Sequence, residues 1–245
     1  QDELFAYDVV VLGDVDPTFL GTTFMNGLRD FVEKRAGGVL FVAGANHMPA
    51  SFAQTPLAQL IPIEPRAGAR PVATLREEAI AVVPTVPGAA FGQMRLADTP
   101  AENSRVWSEL PGQYWFYEAT RLKPGALALA EHATERTPTG ERLPLIATLH
   151  ATWPGKTLFH GFDGSYRWQT VAGGRSYARY WLQTVRFLAH TKLLGQDRRA
   201  ELTTDRRQYR RGAAVELQLR FFAEQDAPPE DRQVAVVDFQ GADRQ

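Results

Sequence analysis

The chain has 245 residues, of which 44% are hydrophobic and 22% charged, with 27 basic and 28 acidic side chains. This apolar fraction and balanced charge exclude a disordered segment and a charged tail. The net charge of −1 gives no electrostatic basis for nucleic-acid binding. No apolar run reaches the ~18–20 residues that span a bilayer. The sequence contains no cysteine, which excludes disulfides, thiolate metal sites and a cysteine nucleophile.

The first segment predicts a strand, a helix and a second strand. Residues 7–13 and 39–43 are short β-branched runs, typical of buried strands. Gly37-Gly38 predicts the end of the intervening helix. Apolar residues at helical spacing predict the buried face of that helix, namely Phe24, Leu28, Phe31 and Val32. Short connections make this a βαβ unit, so the two strands should be adjacent and parallel in an α/β fold.

The next part of the chain is less regular. Residues 71–98 predict an irregular excursion from the sheet, whereas residues 144–153 and 157–162 predict two strands. Pro154-Gly155 between those strands predicts a type II turn with a positive φ at the glycine. A helix follows, with an apolar stripe at Tyr177, Trp181, Val185 and Leu188.

Residues 198–245 differ from the rest of the chain in composition and in the pattern of apolar residues. Residues 215–221 and 233–239 alternate between apolar and polar side chains, which predicts strands with one buried face. Because two or three strands are marginal alone, residues 198–245 should pack on the α/β domain or on another copy of the chain. We expect the preceding arginines to be solvated or paired with carboxylates: Arg198, Arg199, Arg206, Arg207, Arg210 and Arg211.

Candidate site residues lie at predicted strand ends, where open α/β sheets bind ligands. Asp14 and Asp16 could hold a divalent cation, but an Asp before a helix is also an ordinary cap, and no third ligand has a readable spacing. His47 and His160 stand at strand ends, yet the histidines lack metal-binding spacing, so we predict no metal site. Gly155-Lys156-Thr157 is similar to the end of a phosphate-binding loop but lacks its first glycine, which favours a hairpin turn.

An aromatic and basic pair, Arg167-Trp168, follows the last of these strands. A tryptophan beside an arginine can form a stacking platform for sugars, bases or peptides. Alternatively, Trp168 closes the junction between sheet and helix while Arg167 caps backbone carbonyls, because aromatic side chains dominate core energetics. The second interpretation is favoured.

Taken in chain order, these segments resemble the class I glutamine amidotransferase-like domain. The resemblance is carried by residues 7–14, 37–44 and 162–168 and by Tyr180-Trp181, and it extends over residues 4–195. More narrowly, the chain is similar to an uncharacterised bacterial branch found in large membrane-anchored proteins that often carry a von Willebrand factor A-like domain.

The resemblance implies a fold and two domains. Residues 1–196 are expected to form an α/β domain, truncated at its N-terminus, with a flavodoxin-like or amidotransferase-like sheet and helices on both faces. Residues 202–222, including Tyr209 and Gly212, resemble the start of an immunoglobulin-like segment. Residues 197–245 are therefore expected to be a partial antiparallel β-sandwich.

In catalytic members of the family a cysteine follows the second strand, and a histidine and a glutamate follow a later one; a positioned base activates the thiol. The resemblance places Asn46 at the cysteine position, retains His160, and places Phe162 at the glutamate position. With no cysteine in the chain, we expect no glutamine amidotransfer, no catalytic residue and no cofactor.

Two functions remain open. The favoured one is a non-catalytic module that binds a ligand or serves in protein assembly. Its candidate ligand-binding residues are Asp14, Asp16, Asn46, His47, His160, Asp163, Arg167 and Trp168. The alternative is a cysteine-independent hydrolase acting on a carbohydrate or an amide, with a histidine (His47 or His160) as base and a carboxylate (Asp14 or Asp163) as its partner.

The resemblance also implies partners and a location. The expected partners are neighbouring domains of the full-length protein or other subunits of a membrane complex, and residues 198–245 offer a route to oligomers. Neither nucleic-acid binding nor direct membrane insertion by this segment is expected. The full-length protein is expected to be membrane-anchored, with this segment soluble in the periplasm.

Overall fold

The structure, a computed structural model, describes residues 2–65, 75–196, 200–204 and 217–221. The chain divides into two compact units, Gln1–Leu194 and Gly195–Gln245. Within the described residues, no helix combines the length and the apolar character needed to cross a bilayer.

Helices and strands alternate along the chain. The helices are α1 (Asp2–Ala6), α2 (Pro17–Glu33), α3 (Val86–Ala89), α4 (Pro100–Glu109) and α5 (Arg175–Gln196). The strands of the first unit are β1 (Val9–Leu12), β2 (Gly38–Val42), β3 (Ile63–Glu64), β4 (Val82–Pro84), β5 (Arg121–Leu122), β6 (Leu127–Arg136), β7 (Arg142–Leu149) and β8 (Thr157–His160). Short 3₁₀ helices include Gly92–Met94 and Gly164–Thr170.

A six-stranded mixed sheet forms the centre of the first unit, in the order β1-β2-β8-β7-β6-β4. Strands β1, β2 and β8 are parallel, whereas β7, β6 and β4 run antiparallel to their neighbours. Strands β3 and β5 form a separate antiparallel pair. The prediction that residues 7–13 and 39–43 supply adjacent parallel strands is confirmed, since Val9 lies beside Gly38 and Leu12 beside Phe41. The fold is therefore mixed α/β.

Helix α2 packs as predicted over its second half but ends differently. Leu28, Phe31 and Val32 are buried, whereas Phe24 is exposed. The helix ends at Glu33, and the residue with a positive φ is Ala36, at 56°. The prediction that Gly37-Gly38 ends the helix through a positive φ is therefore wrong. Gly37 is needed for another reason, since a Cβ there would lie 2.2 Å from the Phe31 ring. The glycine permits close packing rather than a left-handed turn.

The predicted pair of strands after residue 144 is confirmed by the antiparallel pairing of β7 with β8. The predicted positive φ at Gly155 is wrong. Its amide donates to the Val32 carbonyl at 2.9 Å, and a Cβ there would lie 2.2 Å from the Gly37 carbonyl oxygen. Backbone approach therefore requires this glycine. Gly155-Lys156-Thr157 connects two strands, as the hairpin interpretation predicts.

Two further predictions need correction. Strand β4 joins the main sheet through β6, inside the stretch predicted as an excursion from the sheet. Strand β4 has only three residues, too few to show the alternation of apolar and polar side chains by which a strand is predicted. Helix α5 forms where predicted, but its inward face is Tyr180, Thr184 and Leu188, and Val185 is 44% exposed. Leu188 packs against β2, where a Cβ on Gly38 would lie 2.6 Å from it.

The second unit contains an antiparallel pair of strands, β9 (Ala200–Thr204) and β10 (Leu217–Phe221). Leu217 lies beside Thr204 and Phe221 beside Ala200. Strand β10 falls within the predicted strand 215–221, whereas β9 was not predicted. The other predicted strand, 233–239, lies outside the described residues.

Candidate functional site

The loop that follows β2, residues 44–48, is held by the carboxylate of Asp14, which follows β1. We call this segment the elbow loop. Asp14 Oδ2 accepts hydrogen bonds from the backbone N–H and the side-chain Nδ2 of Asn46, both at 2.9 Å. Asp14 Oδ1 accepts from the backbone N–H groups of His47, at 2.6 Å, and Met48, at 2.8 Å. Four donors of one short loop therefore converge on one carboxylate.

Local sequence explains this arrangement. Strands β1 and β2 are parallel neighbours, so the loops at their carboxyl ends meet at one edge of the sheet. Gly44 leaves room for the acid, because a Cβ there would lie 2.2 Å from the Cβ of Asp14. The loop also closes on itself through a 3.0 Å hydrogen bond from the Gly44 N–H to the Met48 carbonyl. The elbow loop is thus shaped around the carboxylate.

The electrostatics follow from those hydrogen bonds. Partial burial favours the neutral form of Asp14, but the donors on Met48, His47 and Asn46 outweigh it and hold the pKa of this carboxyl below its ordinary value. Successive backbone N–H groups form a concavity that stabilises an anion. Asp14 is therefore ionised at neutral pH, and its carboxylate is the anion to which the N–H groups of the elbow loop donate.

Asp16 has the capping role that the sequence allows. Its Oδ1 accepts from the backbone N–H and the hydroxyl of Thr18, both at 2.8 Å, at the start of α2. These bonds hold the pKa of Asp16 below its ordinary value. Among the described residues, no group of three His, Asp or Glu side chains could hold a metal ion.

His160, at the end of β8, is only 1% exposed. The Tyr180 hydroxyl from α5 lies 2.6 Å from its Nε2, and the Phe162 ring stacks on the imidazole with 7° between the planes. The Trp181 ring meets its edge at a centroid distance of 5.6 Å. This apolar enclosure disfavours the imidazolium and lowers the pKa of His160 to about 3. The histidine is neutral across the physiological range.

Trp168 closes the same aromatic cluster from the 3₁₀ helix after β8. Its side chain is fully buried, and its Nε1 donates to the Pro111 carbonyl at 3.1 Å. The rings of Trp107 and Tyr180 meet it edge-on at 5.6 and 5.1 Å between centroids. Arg167 does not have the predicted carbonyl-capping geometry, because its guanidinium lies 4.6 Å above the Tyr114 ring. Trp168 therefore packs in the core and offers no exposed stacking platform.

The structure thus separates the predicted residues into two groups. Asp14, Asn46 and His47 meet in the elbow loop, with Asp16 beside them. His160, Phe162 and Trp168 meet in the buried aromatic cluster, and no hydrogen bond, ion pair or ring contact of the described side chains joins the two groups. Asp163 is exposed at the start of its 3₁₀ helix and makes no capping hydrogen bond there.

Two features escaped the sequence prediction. The first is Tyr180, which hydrogen-bonds to His160. It was not among the residues of the predicted apolar stripe of α5. A basic groove also lies along the outer part of α5, formed with the turn around residue 93. The signal for this groove is the polar spacing i, i+4, i+7, i+11 of Arg179, Gln183, Arg186 and His190.

Comparison of the chain with protein-family models and with the sequences of curated proteins gives no match. The resemblance to the amidotransferase-like domain therefore rests only on the residues quoted for it and stays a prediction. Chemically, the elbow loop binds the ionised carboxylate of Asp14, and His160 after β8 is enclosed and neutral.

Proposed function

We propose that this chain is a non-catalytic class I glutamine amidotransferase-like module of a larger bacterial membrane-associated protein, with a role in ligand binding or protein assembly. In this proposal the mixed sheet of the first unit is a flavodoxin-like sheet, and β9 and β10 belong to an immunoglobulin-like segment. The proposal is carried by the occupation of the elbow loop by the Asp14 carboxylate.

Acyl transfer needs backbone N–H groups that stabilise the negative charge developing on the substrate oxygen. In the elbow loop the N–H groups of Asn46, His47 and Met48 already donate to Asp14. A second anion at the same donors would meet the repulsion of an ionised carboxylate. The Asn46 amide, at the position of the missing cysteine, is itself a donor to Asp14. The loop therefore lacks a nucleophile, and the N–H groups of Asn46, His47 and Met48 are already engaged.

The environment of His160 also supports a non-catalytic role. A general base needs a pKa near the working pH and a path to the proton that it removes. His160 has a pKa lowered to about 3, is buried, and has its Nε2 engaged by Tyr180. Phe162, at the position of the acid, stacks on it instead of carrying charge. These contacts count against His160 as the base and Asp14 as the partner in the hydrolase alternative, whose other candidates are His47 and Asp163.

The partners in this proposal are neighbouring domains of the full-length protein or other subunits of a membrane complex, on the periplasmic side. The edge formed by the elbow loop is where such contacts would be made. Asn46 is exposed there and His47 is half-buried, while their backbone is fixed by Asp14. A rigid, charged edge of this kind presents a defined surface to a partner without further ordering, which lowers the entropic cost of association.

The proposal is tested by glutamine hydrolysis, followed through coupled detection of glutamate. We expect no release above the buffer rate from the native chain or from Asn46→Ala. Asn46→Cys should also be inactive, because His160 is enclosed and Phe162 supplies no carboxylate. Thermal unfolding of each variant serves as the folding control. Glutamate release by the native chain that disappears in Asn46→Ala would overturn the proposal.

A further inference from the structure

We propose that a groove between the turn around residue 93 and helix α5 binds a small phosphate-bearing molecule. The groove has a volume of about 560 Å³, within the range of small-molecule sites. The residues used below all belong to the first unit, and none belongs to the elbow loop. The inference therefore goes beyond the proposed function and stands whether or not the elbow loop is catalytic.

Positive charge is concentrated along this groove. Arg95, Lys156, Arg179 and Arg186 line it, together with His190. Arg179 is paired with Asp98 at 2.8 Å, but that carboxylate is 88% exposed and stands outside the lining. Within the part of the chain that the structure describes, no carboxylate lies within ion-pair distance of Arg95 or Arg186, although the charge of Arg95 also acts on Asp98. Several cations against one solvated carboxylate favour an anionic ligand.

The side-chain amide of Gln93, which lines the groove, is suited to bind neutral polar groups of a ligand. Its side chain is 1% exposed, and among the described residues neither its Nε2 nor its Oε1 has a hydrogen-bond partner. The Oε1 of Gln183, which also lines the groove, lacks a partner as well. Buried amides are rarely left without partners, because desolvation without a hydrogen bond is costly. When these buried side chains turn toward the groove, a ligand with hydroxyl groups beside its charge would supply both a donor and an acceptor.

Lys156 provides a further donor. Its Nζ donates to the Phe187 carbonyl at 3.3 Å and lies 4.8 Å from the Phe187 ring centroid. An ammonium group carries three donors, and a single carbonyl leaves most of them for a ligand. Burial lowers the pKa of Lys156 because it disfavours the charged ammonium form. An anion bound beside the ammonium group would stabilise that charged form.

The number and type of cations favour phosphate over a single carboxylate. A phosphate monoester carries up to two charges and three acceptor oxygens, which suits a groove lined by several cationic donors. Guanidinium groups match phosphate geometry with paired N–H donors. The two amides then correspond to hydroxyl groups next to the phosphate, as in a sugar phosphate. The groove thus combines a charged end with neutral hydrogen-bonding groups.

The test is calorimetric titration of the full chain with inorganic phosphate, glucose 6-phosphate and glucose at matched ionic strength. We expect saturable binding of both phosphates, tighter for glucose 6-phosphate, and none of glucose. Arg95→Gln combined with Arg186→Gln should weaken phosphate binding at least about tenfold, since each removes a charge-assisted contact. Arg105→Gln, an exposed arginine of α4 paired with Glu109, is the matched control and should bind like the native chain.

Three results would overturn the inference. They are the absence of saturable phosphate binding, equal affinity in the double variant, and binding that is detected only with an acidic polypeptide or with RNA. Gln93→Leu gives a second readout that leaves the cations in place. It should remove the advantage of glucose 6-phosphate over inorganic phosphate while leaving inorganic phosphate binding unchanged. Thermal unfolding confirms that each variant is folded.

Discussion

Replacing Trp168 by alanine is expected to lower the free energy of unfolding of the first unit by about 3–5 kcal/mol, the range for truncating a fully buried aromatic side chain. The side chain has no exposed surface and contacts the rings of Trp107, Phe162 and Tyr180. The substitution also leaves the Pro111 carbonyl without its indole donor. Urea unfolding followed by far-UV circular dichroism gives the change.

Two variants separate packing from other effects of the substitution. Trp168→Phe keeps an aromatic ring but loses the hydrogen bond to Pro111, so we expect an intermediate loss of stability. Tyr166→Ala removes a neighbouring aromatic ring that is 59% exposed, and its effect should stay within about 0.5 kcal/mol. A loss below 1 kcal/mol in Trp168→Ala, about that of an ordinary substitution, would contradict the core position of this side chain.

His160 is expected to make the stability of the chain fall as the pH is lowered below its ordinary pKa of 6.5. The unfolded chain protonates this imidazole near pH 6.5, whereas the folded chain does so only near pH 3. Between those values the unfolded state binds more protons, so lower pH favours unfolding. From pH 6.5 to 4.5 this one group should remove about 2 kcal/mol of stability.

The measurement compares the native chain with His160→Gln in urea unfolding at several pH values. Glutamine cannot titrate in this range, and its side chain retains an oxygen that can accept from the Tyr180 hydroxyl. Burial also lowers the pKa values of His132 and His150, but both remain in the variant and cancel in the difference. Parallel pH profiles for the two proteins would show that His160 is not enclosed as described.

The first βαβ unit could be predicted from the sequence because its signals are local. Two β-branched runs on either side of a helical pattern allow few arrangements, and the right-handed crossover rule selects adjacent parallel strands. Gly37 and Gly155 were predicted for their backbone angles, whereas both are required by close packing, Gly37 against the Phe31 ring and Gly155 against the backbone of Val32 and Gly37. A single sequence shows where a glycine stands but not which atoms approach it. Strand β4 was missed because three residues are too few to show a period.

The candidate site was predictable in its positions and not in its contacts. Asp14 and the elbow loop were singled out because parallel strands place their ends together. That the acid would accept four hydrogen bonds from the loop depends on the path of residues 44–48, which no residue pattern specifies. Likewise, the aromatic residues around His160 are visible in the sequence, but their enclosure of the imidazole depends on how α5 packs on the sheet.

Closure of the elbow loop by Asp14 is tested most directly by nuclear magnetic resonance during an acid titration. The ¹³C shift of the Asp14 carboxyl is followed together with the amide ¹H shifts of Asn46, His47 and Met48. All four should move with one midpoint below the ordinary value of 3.8, because protonation removes the acceptor that these donors share. Asp14→Asn should abolish the common transition of the amides. A midpoint at or above 3.8, or amides that do not follow the carboxyl, would show that the elbow loop is open.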